Sequence, residues 1–279
     1  MPRSYLLPLI LCLAALLAGC AVARVGDNLP YGVLNNNDVE LVREGLPTYL
    51  LAIDGLIVNW PESEDMLRGG AGLYSAYAGL FVSDPERASL LSDKALTYAV
   101  RAACVRHRDY CQVRGMSVPA LEQRLAKAGR RDVPVLYTLG TVWAGYIQIH
   151  SADWNAVADL ARVQALLNRV IELDAGYERG QAHMYLAVLD SLLPEALGGQ
   201  PASARRHFET AIALSEGRNL MAKVLYAERY ARMAFEQPLH DRLLEEVLAA
   251  DPEEHGLTLQ NTFAQQEAKR LLAESGDYF

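Results

Sequence analysis

Residues 204–211 read Ala-Arg-Arg-His-Phe-Glu-Thr-Ala, and this stretch decides the fold. On a helix, Ala204, Phe208 and Ala211 fall on one face because they are spaced at i, i+4 and i+7. This pattern is typical of the second helix of a tetratricopeptide unit. The two alanines let a neighbouring helix approach closely, and the phenylalanine fills the remaining space. A helical hairpin is therefore the expected unit of the fold.

The first helix of the same hairpin is predicted just upstream. Ala182, Leu186 and Leu189 share one helix face. Residues 194–201, which read Pro-Glu-Ala-Leu-Gly-Gly-Gln-Pro, then provide the proline and glycine of a turn. Two helices joined in this way form a hairpin.

Comparable helix pairs recur along the chain, interrupted by an insertion at residues 104–133. The predicted ends of the repeats are Pro61, Val100, Ala175, Glu216 and Pro252. The sequence therefore predicts an all-α fold, an α-solenoid of tetratricopeptide-like helical hairpins over residues 38–279. A helix from Leu257 to Leu272 is expected to cap its C-terminal end and to face solvent.

The composition and net charge argue against nucleic acid as a partner. The chain has 279 residues and a net charge of −8. It offers no stripe of Lys and Arg that would replace counterions on a phosphate backbone. Nucleic acid is therefore not an expected partner.

The first twenty residues resemble a bacterial lipoprotein signal. Arg3 supplies the positive start, residues 5–17 are almost wholly apolar, and residues 17–20 read Leu-Ala-Gly-Cys. The apolar run is shorter than the roughly 20 residues of a permanent transmembrane helix, as expected for a cleaved signal. We expect residues 1–19 to be removed and Cys20 to carry acyl chains such as palmitate. A plain secretory signal with a chance cysteine is the alternative.

The residues after Cys20 indicate a tether and a location. Residues 20–37 are polar and aperiodic, which suits a linker between the lipid and the domain at residues 38–279. Ala21 follows the cysteine, where an aspartate would retain a lipoprotein at the inner membrane. The predicted location is the periplasm, with the lipid anchor in a membrane and the outer membrane preferred.

Two further cysteines, Cys104 and Cys111, remain in the predicted mature chain. In an oxidising compartment such a pair predicts a disulfide. A zinc site is the alternative, because His107 lies between them. These three side chains lack a fourth ligand, so we expect no metal.

The sequence contains none of the catalytic motifs that we sought. It has no His-Glu-x-x-His, no Gly-x-Ser-x-Gly and no Walker loop, since Gly69-Gly70-Ala71-Gly72 is not followed by Gly-Lys-Ser/Thr. His183 and His207 are expected at the polar ends of packed helices. We therefore expect no enzyme, no catalytic residues and no cofactor; a hydrolase built on a pair of carboxylates is the competing hypothesis.

Aromatic residues recur on the predicted first helices, which line the concave side of a solenoid. Such rings suit an apolar ligand or an extended partner segment, because they bury much area at small entropic cost. Packing in the core is the alternative for each ring, and helix capping is the alternative for the two polar residues. The candidates for a ligand or partner groove are Tyr74, Tyr77, Trp143, Tyr146, Tyr185, Asn219, Lys223 and Tyr230.

Five segments together resemble the TatT component family of lipoproteins associated with TRAP transporters. These segments are Leu-Pro-Thr-Tyr-Leu-Leu-Ala-Ile-Asp-Gly-Leu at 46–56, Leu-Tyr-Ser-Ala-Tyr-Ala at 73–78, Ser-Leu-Leu-Pro-Glu-Ala-Leu-Gly-Gly at 191–199, Gly-Arg-Asn-Leu-Met-Ala-Lys-Val at 217–224 and Asp-Tyr-Phe at 277–279. The resemblance implies a periplasmic, tetratricopeptide-like lipoprotein that forms a homotrimer. It also implies a hydrophobic channel through each subunit, and binding to the periplasmic solute-binding protein of a tripartite ATP-independent periplasmic (TRAP) transporter.

Two hypotheses follow from the residues and the resemblance together. In the first, the chain is an accessory of a TRAP transporter that binds the solute-binding subunit and relays a hydrophobic small molecule to it. In the second, it is a general tetratricopeptide scaffold lipoprotein for envelope protein complexes and never meets a solute.

Overall fold

The computed structural model describes residues 32–192, 195 and 199–279, and the regular structure within them is entirely helical. The prediction of an all-α fold is confirmed for this part of the chain. The predicted signal, Cys20 and part of the predicted turn, residues 193, 194 and 196–198, lie outside the described residues.

Long and short α-helices alternate with tighter helical segments. The α-helices are α1 Val39–Asn59, α2 Glu64–Phe81, α3 Pro85–Arg106, α4 Val118–Leu125, α5 Val133–Ile149, α6 Trp154–Val157, α7 Leu160–Leu173, α8 Gln181–Asp190, α9 Pro201–Leu214, α10 Leu220–Leu225, α11 Gln237–Ala249, α12 Thr258–Ala273 and α13 Ser275–Tyr278. Short 3-10 segments lie at Arg108–Gly115, Arg130–Asp132 and Tyr177–Gly180, and a π-helical turn lies at Tyr226–Ala231. Among the described helices, none combines the length and the apolar composition that a bilayer crossing requires.

Helix starts follow local sequence signals. The Asp38 carboxylate accepts a hydrogen bond from the backbone N–H of Leu41 at 2.9 Å, which caps α1. The Asp84 carboxylate accepts from the N–H of Arg87 at 2.9 Å, and Pro85 occupies the first turn of α3. Both caps satisfy an N–H group that has no partner within the helix.

Helix α1 runs from Val39 to Asn59 and contains Pro47 without being interrupted. A proline inside a helix removes one backbone hydrogen bond and crowds the preceding turn. Leu46 and Leu50 flank it and are almost completely buried. Burial of these two side chains offsets the local cost, so α1 continues for three more turns.

Neighbouring helices pack together around two main buried apolar clusters. Helix α2 lies against α1 and α3, α5 packs on α3 and α7, and α9 packs on α8. Ala204, Phe208 and Ala211 are all buried on α9, as their spacing predicts.

The segment between α3 and α5, predicted as an insertion, is built into the core. Tyr110, Val113 and Leu121 are completely or almost completely buried there. Cys104 at the end of α3 and Cys111 are joined by a disulfide, with their Cα atoms 4.4 Å apart. This bond holds the 3-10 segment Arg108–Gly115 against α3.

The two ends of the described chain meet. The backbone N–H of Gly256 donates to the side-chain oxygen of Asn35 at 2.7 Å, and α12 contacts α1. Leu259 of α12 belongs to the same buried apolar cluster as Leu46 of α1. Part of the segment assigned to the tether therefore contacts the body, and α12 has a buried face as well as an exposed one.

Candidate functional site

A surface pocket of about 300 Å³ lies between α9, α10 and α11. Its floor is apolar and includes Ile212, Leu239 and Leu243, and its rim is charged. The charged side chains of the rim are Arg205, Glu209, Lys223, Arg242 and Glu246. We call this feature the α9–α11 pocket.

The π-helical turn Tyr226–Ala231 positions the aromatic side of the pocket. A π turn widens the backbone spiral by one residue and occurs frequently at functional sites. The Tyr226 ring stacks on the buried Phe208 ring with centroids 5.1 Å apart. Its hydroxyl donates to Glu209 Oε1 at 3.2 Å. Burial, together with the charge of Glu209, raises the pKa of Tyr226, so the hydroxyl stays a donor.

Glu246 holds two cations on the opposite side of the rim. Its carboxylate accepts from Lys223 Nζ at 2.7 Å and from Arg242 Nη1 at 2.7 Å. The hydrogen bond from Lys223 lowers the pKa of Glu246, against the opposing effect of its partial burial. Arg242 and Glu246 are one helical turn apart on α11, whereas Lys223 comes from α10. The pair of helices is therefore joined across the pocket by one carboxylate.

Arg205 organises the remaining rim. Its Nε donates to Glu209 Oε1 at 3.0 Å, its guanidinium lies 5.9 Å from the centre of the Tyr230 ring, and its Nη1 lies 3.8 Å from Glu236 Oε1. Every charged residue of the rim therefore has a partner of opposite sign. A nearly neutral rim over an apolar floor suits contact with another molecule more than proton transfer, and the lining residues include no serine, cysteine or histidine.

Of the predicted groove residues, Lys223 lies on the rim of this pocket, and Tyr230 lies outside its lining but in contact with Arg205. Asn219 lies nearby but is completely enclosed. Its side-chain oxygen accepts from Gln260 Nε2 at 2.8 Å, so it joins the start of α10 to α12.

The other predicted aromatic residues lie between packed helices, which is the alternative that their spacing left open. Trp143 is completely buried, and its Nε1 donates to Asp159 at 3.2 Å. Tyr146 is buried and stacks on His150 with centroids 4.1 Å apart. Tyr77 is buried against Phe81. Tyr185 is half-buried on α8, where it packs against the apolar core.

Tyr74 takes part in a polar cluster at the junction of α1, α2 and α3. Its hydroxyl donates to Asp54 Oδ2 at 2.8 Å, the Tyr98 hydroxyl donates to Asp54 Oδ1 at 2.7 Å, and Lys94 pairs with the same carboxylate. Burial opposes ionisation of Asp54, but the hydrogen bonds from Lys94, Tyr98 and Tyr74 outweigh it and lower the pKa of Asp54. Tyr74 and the aromatic residues named above are thus spread over several interfaces and form no single wall within the described chain.

The sequence did not single out four residues of the pocket, namely Arg205, Glu209, Arg242 and Glu246. Arg205 and Glu209, like Arg242 and Glu246, are spaced at i and i+4, which predicts ion pairs along one helix. Helices α9 and α11 both pack against α10 and the π-helical turn, which brings the two pairs to one pocket, and spacing along a helix carries no information about that packing. Glu246 also joins two helices, because it accepts from Lys223 of α10.

His183 and His207 come together although they lie on α8 and α9. Their Nδ1 atoms are 2.8 Å apart, so one ring donates a hydrogen bond to the other. Burial, and then the neighbouring ring, lower the pKa of His183 to about 4. Both rings are therefore held neutral at pH 7.

A search of protein-family models matches residues 35–279 to the family described as TRAP transporter T-component. The match covers the whole pocket, α1 and α12. No curated protein matches the chain.

Proposed function

We propose a docking role from one premise, which is that the chain belongs to the TRAP transporter T-component family. A component of such a transporter associates with its other parts. We infer that this chain binds the transporter's periplasmic solute-binding subunit and holds it near the membrane. The family match over residues 35–279 carries this conclusion.

The α9–α11 pocket is our choice for the contact surface. Protein interfaces combine an apolar centre with a polar rim whose charges select and orient the partner. The apolar floor at Ile212, Leu239 and Leu243 supplies the first, and the paired charges around Glu246 supply the second. A pocket of about 300 Å³ also has room for a small apolar molecule, which supports relay of a hydrophobic solute to the subunit.

The setting of this role is part of the same proposal. The lipoprotein signal that ends in Leu-Ala-Gly-Cys at residues 17–20 supports acylation of Cys20 and a periplasmic location, with the outer membrane preferred. The family resemblance supports a homotrimer. Consecutive packing of α8 on α9, with Phe208 buried between small residues, favours a tetratricopeptide-like α-solenoid. Helix α12 is then its last, capping element.

A charge reversal in the rim tests the docking role. In the Arg242→Glu variant, a second carboxylate stands one helical turn from Glu246 on α11, and we expect at least tenfold weaker binding of the purified solute-binding subunit by isothermal titration calorimetry. Arg43→Glu is the matched control, because Arg43 forms an equally exposed pair with Glu40 on α1, outside the pocket. Equal affinity for wild type and the Arg242 variant would remove the pocket from the proposal. No binding by the wild-type chain, with other envelope proteins bound instead, would favour the general scaffold.

A further inference from the structure

A group of aromatic rings lies outside the α9–α11 pocket, where α13 meets the segment before α11. The ring centroid of Phe279 is 5.8 Å from that of Phe235 and 5.0 Å from that of Tyr278. The Phe235 side chain is 70% exposed and that of Tyr278 is 45% exposed. We call these three residues the aromatic patch.

Phe235 stands at a backbone position that favours glycine. The backbone N–H of Glu236 donates to the carbonyl of Ala231 at 2.9 Å, which closes the helical segment that precedes α11. Within this closing turn Phe235 has φ +57°, in the left-handed region. Glycine is the usual residue there, and a bulky side chain is a true outlier. The ring contacts Phe279 and Tyr278 but stays mostly exposed, so packing within the chain covers only part of it.

Polar contacts hold the patch in place from beneath. His240 is completely buried, lies edge-on to the Phe279 ring at 5.2 Å, and donates from Nδ1 to Asp241 Oδ1 at 2.8 Å. The Arg232 guanidinium lies 4.6 Å from the centre of the Tyr278 ring and pairs with Glu274 at 3.2 Å. Rings fixed in this way lose little side-chain entropy when a partner binds.

One unpaired carboxylate lies next to the patch in the chain. Asp277 precedes Tyr278, is exposed, and forms no ion pair with any residue that the structure describes. The other nearby carboxylates are paired, Glu274 with Arg232 and Arg270, and the half-buried Glu236 with Arg205. A basic side chain of a partner is complementary to Asp277, and guanidinium or ammonium groups also bind well to aromatic faces.

We propose that the aromatic patch docks a segment of the solute-binding subunit in which an arginine or lysine stands beside an apolar side chain. The apolar side chain contacts Phe235, and the cation lies between the rings and the carboxylate of Asp277. This inference rests on the proposed function, because it takes the same subunit as the partner. It adds a second contact surface and the chemistry of the segment that binds there.

Replacement of Phe235 by glycine tests this proposal cleanly. Glycine suits the left-handed backbone, so Phe235→Gly is expected to keep or raise the melting temperature while it removes the exposed ring. We expect at least tenfold weaker binding of the purified solute-binding subunit in surface plasmon resonance. Trp154→Ala is the matched control, because the Trp154 side chain is 84% exposed and lies on α6, a different helix. Its affinity should stay within twofold of wild type.

The Asp277 carboxylate is tested separately. Asp277→Lys is expected to weaken binding about fivefold at 50 mM salt and to flatten the salt dependence of affinity. If the wild-type chain binds the solute-binding subunit and both Phe235→Gly and Asp277→Lys bind it with the same affinity, the proposal for the aromatic patch is overturned while the docking role stands. A wild-type chain that binds no solute-binding subunit would overturn both. A change of oligomeric state in Phe235→Gly, with affinity unchanged, would assign the patch to contact between copies of this chain and would also overturn the proposal.

Discussion

His183 and His207 show at the scale of single residues how burial couples to pH. The two rings share one hydrogen bond at 2.8 Å between consecutive helices. Burial and the neighbouring ring lower the pKa of His183 to about 4, and burial also lowers that of His207. Protonation of the pair therefore opposes folding.

The sign of the pH effect follows from these pKa values. An unfolded histidine has a pKa near 6.5, so the unfolded chain binds more protons than the folded chain as the pH falls from about 6.5 towards 4. The stability contributed by neutral His183 is complete above that range and is lost as the pH falls through it. We expect the free energy of unfolding to drop by about 2 kcal/mol between pH 7 and pH 5 because of this residue.

Urea denaturation of wild type and of a His183→Gln/His207→Gln variant at both pH values measures this effect. The variant should lose distinctly less stability than wild type on acidification, because glutamine does not titrate. An identical loss in both proteins would show that other groups set the acid sensitivity. The value at pH 7 is the internal control for any direct effect of the substitutions.

At the scale of helices, the sequence predicted the features that depend on residues close together in the chain, such as helix caps and buried helix faces. Asp38 and Asp84 cap helices as their spacing indicates, and Ala204, Phe208 and Ala211 form a buried face. Contacts between helices that are distant in sequence were not predictable in this way. The α9–α11 pocket depends on such contacts, so only Lys223 and Tyr230 of its surroundings were found from the sequence.

Glycines on helices show the same limit, because the space around each one depends on contacts with other helices. Within the run at 69–72, Gly70 packs closely, because an added Cβ would lie 3.0 Å from Ile57 Cδ1 and 3.1 Å from Tyr98 Cδ2, whereas a Cβ on Gly72 would meet no atom within 4 Å. Gly140 on α5 is the tighter position, because an added Cβ would lie 2.8 Å from Leu167 Cδ2 on α7. Leu167 is completely buried and has little room to move. The sequence alone does not distinguish Gly72 from Gly140.

Alanine substitutions at Gly72 and at Gly140 should change the free energy of unfolding in opposite directions. Gly72→Ala should raise the free energy of unfolding by about 0.5–1 kcal/mol, since alanine favours the helix and nothing obstructs its methyl group. Gly140→Ala should lower it by about 1 kcal/mol, because overpacking against Leu167 exceeds the same helical gain. Guanidinium denaturation of the two variants and wild type measures whether each free energy of unfolding rises or falls. A stabilised Gly140 variant would mean that α5 and α7 separate more easily than their packing indicates.

At the scale of the whole molecule, the meeting of the chain ends determines where the body lies relative to its proposed anchor. Asn35 contacts Gly256, and α1 contacts α12, so the N-terminal end of the body is fixed to its C-terminal end. Gly32, the first described residue, comes twelve positions after Cys20. Fully extended, this length of chain reaches about 40 Å. If Cys20 is acylated, the body cannot move further than this from the membrane surface.

Replacement of Cys20 by serine tests this arrangement. Membrane affinity grows by about 0.8 kcal/mol for each buried methylene, so loss of the acyl chains should release the protein into the soluble periplasmic fraction. The melting temperature should equal that of the processed wild-type chain, because residues 38–279 do not depend on the lipid for their packing. Fractionation after a carbonate wash measures the release, and intact mass spectrometry of wild type should show the added acyl mass on Cys20. Retention of Cys20→Ser in the membrane fraction would instead mean that surfaces of the folded body hold it there, and it would remove the tether from the proposed function.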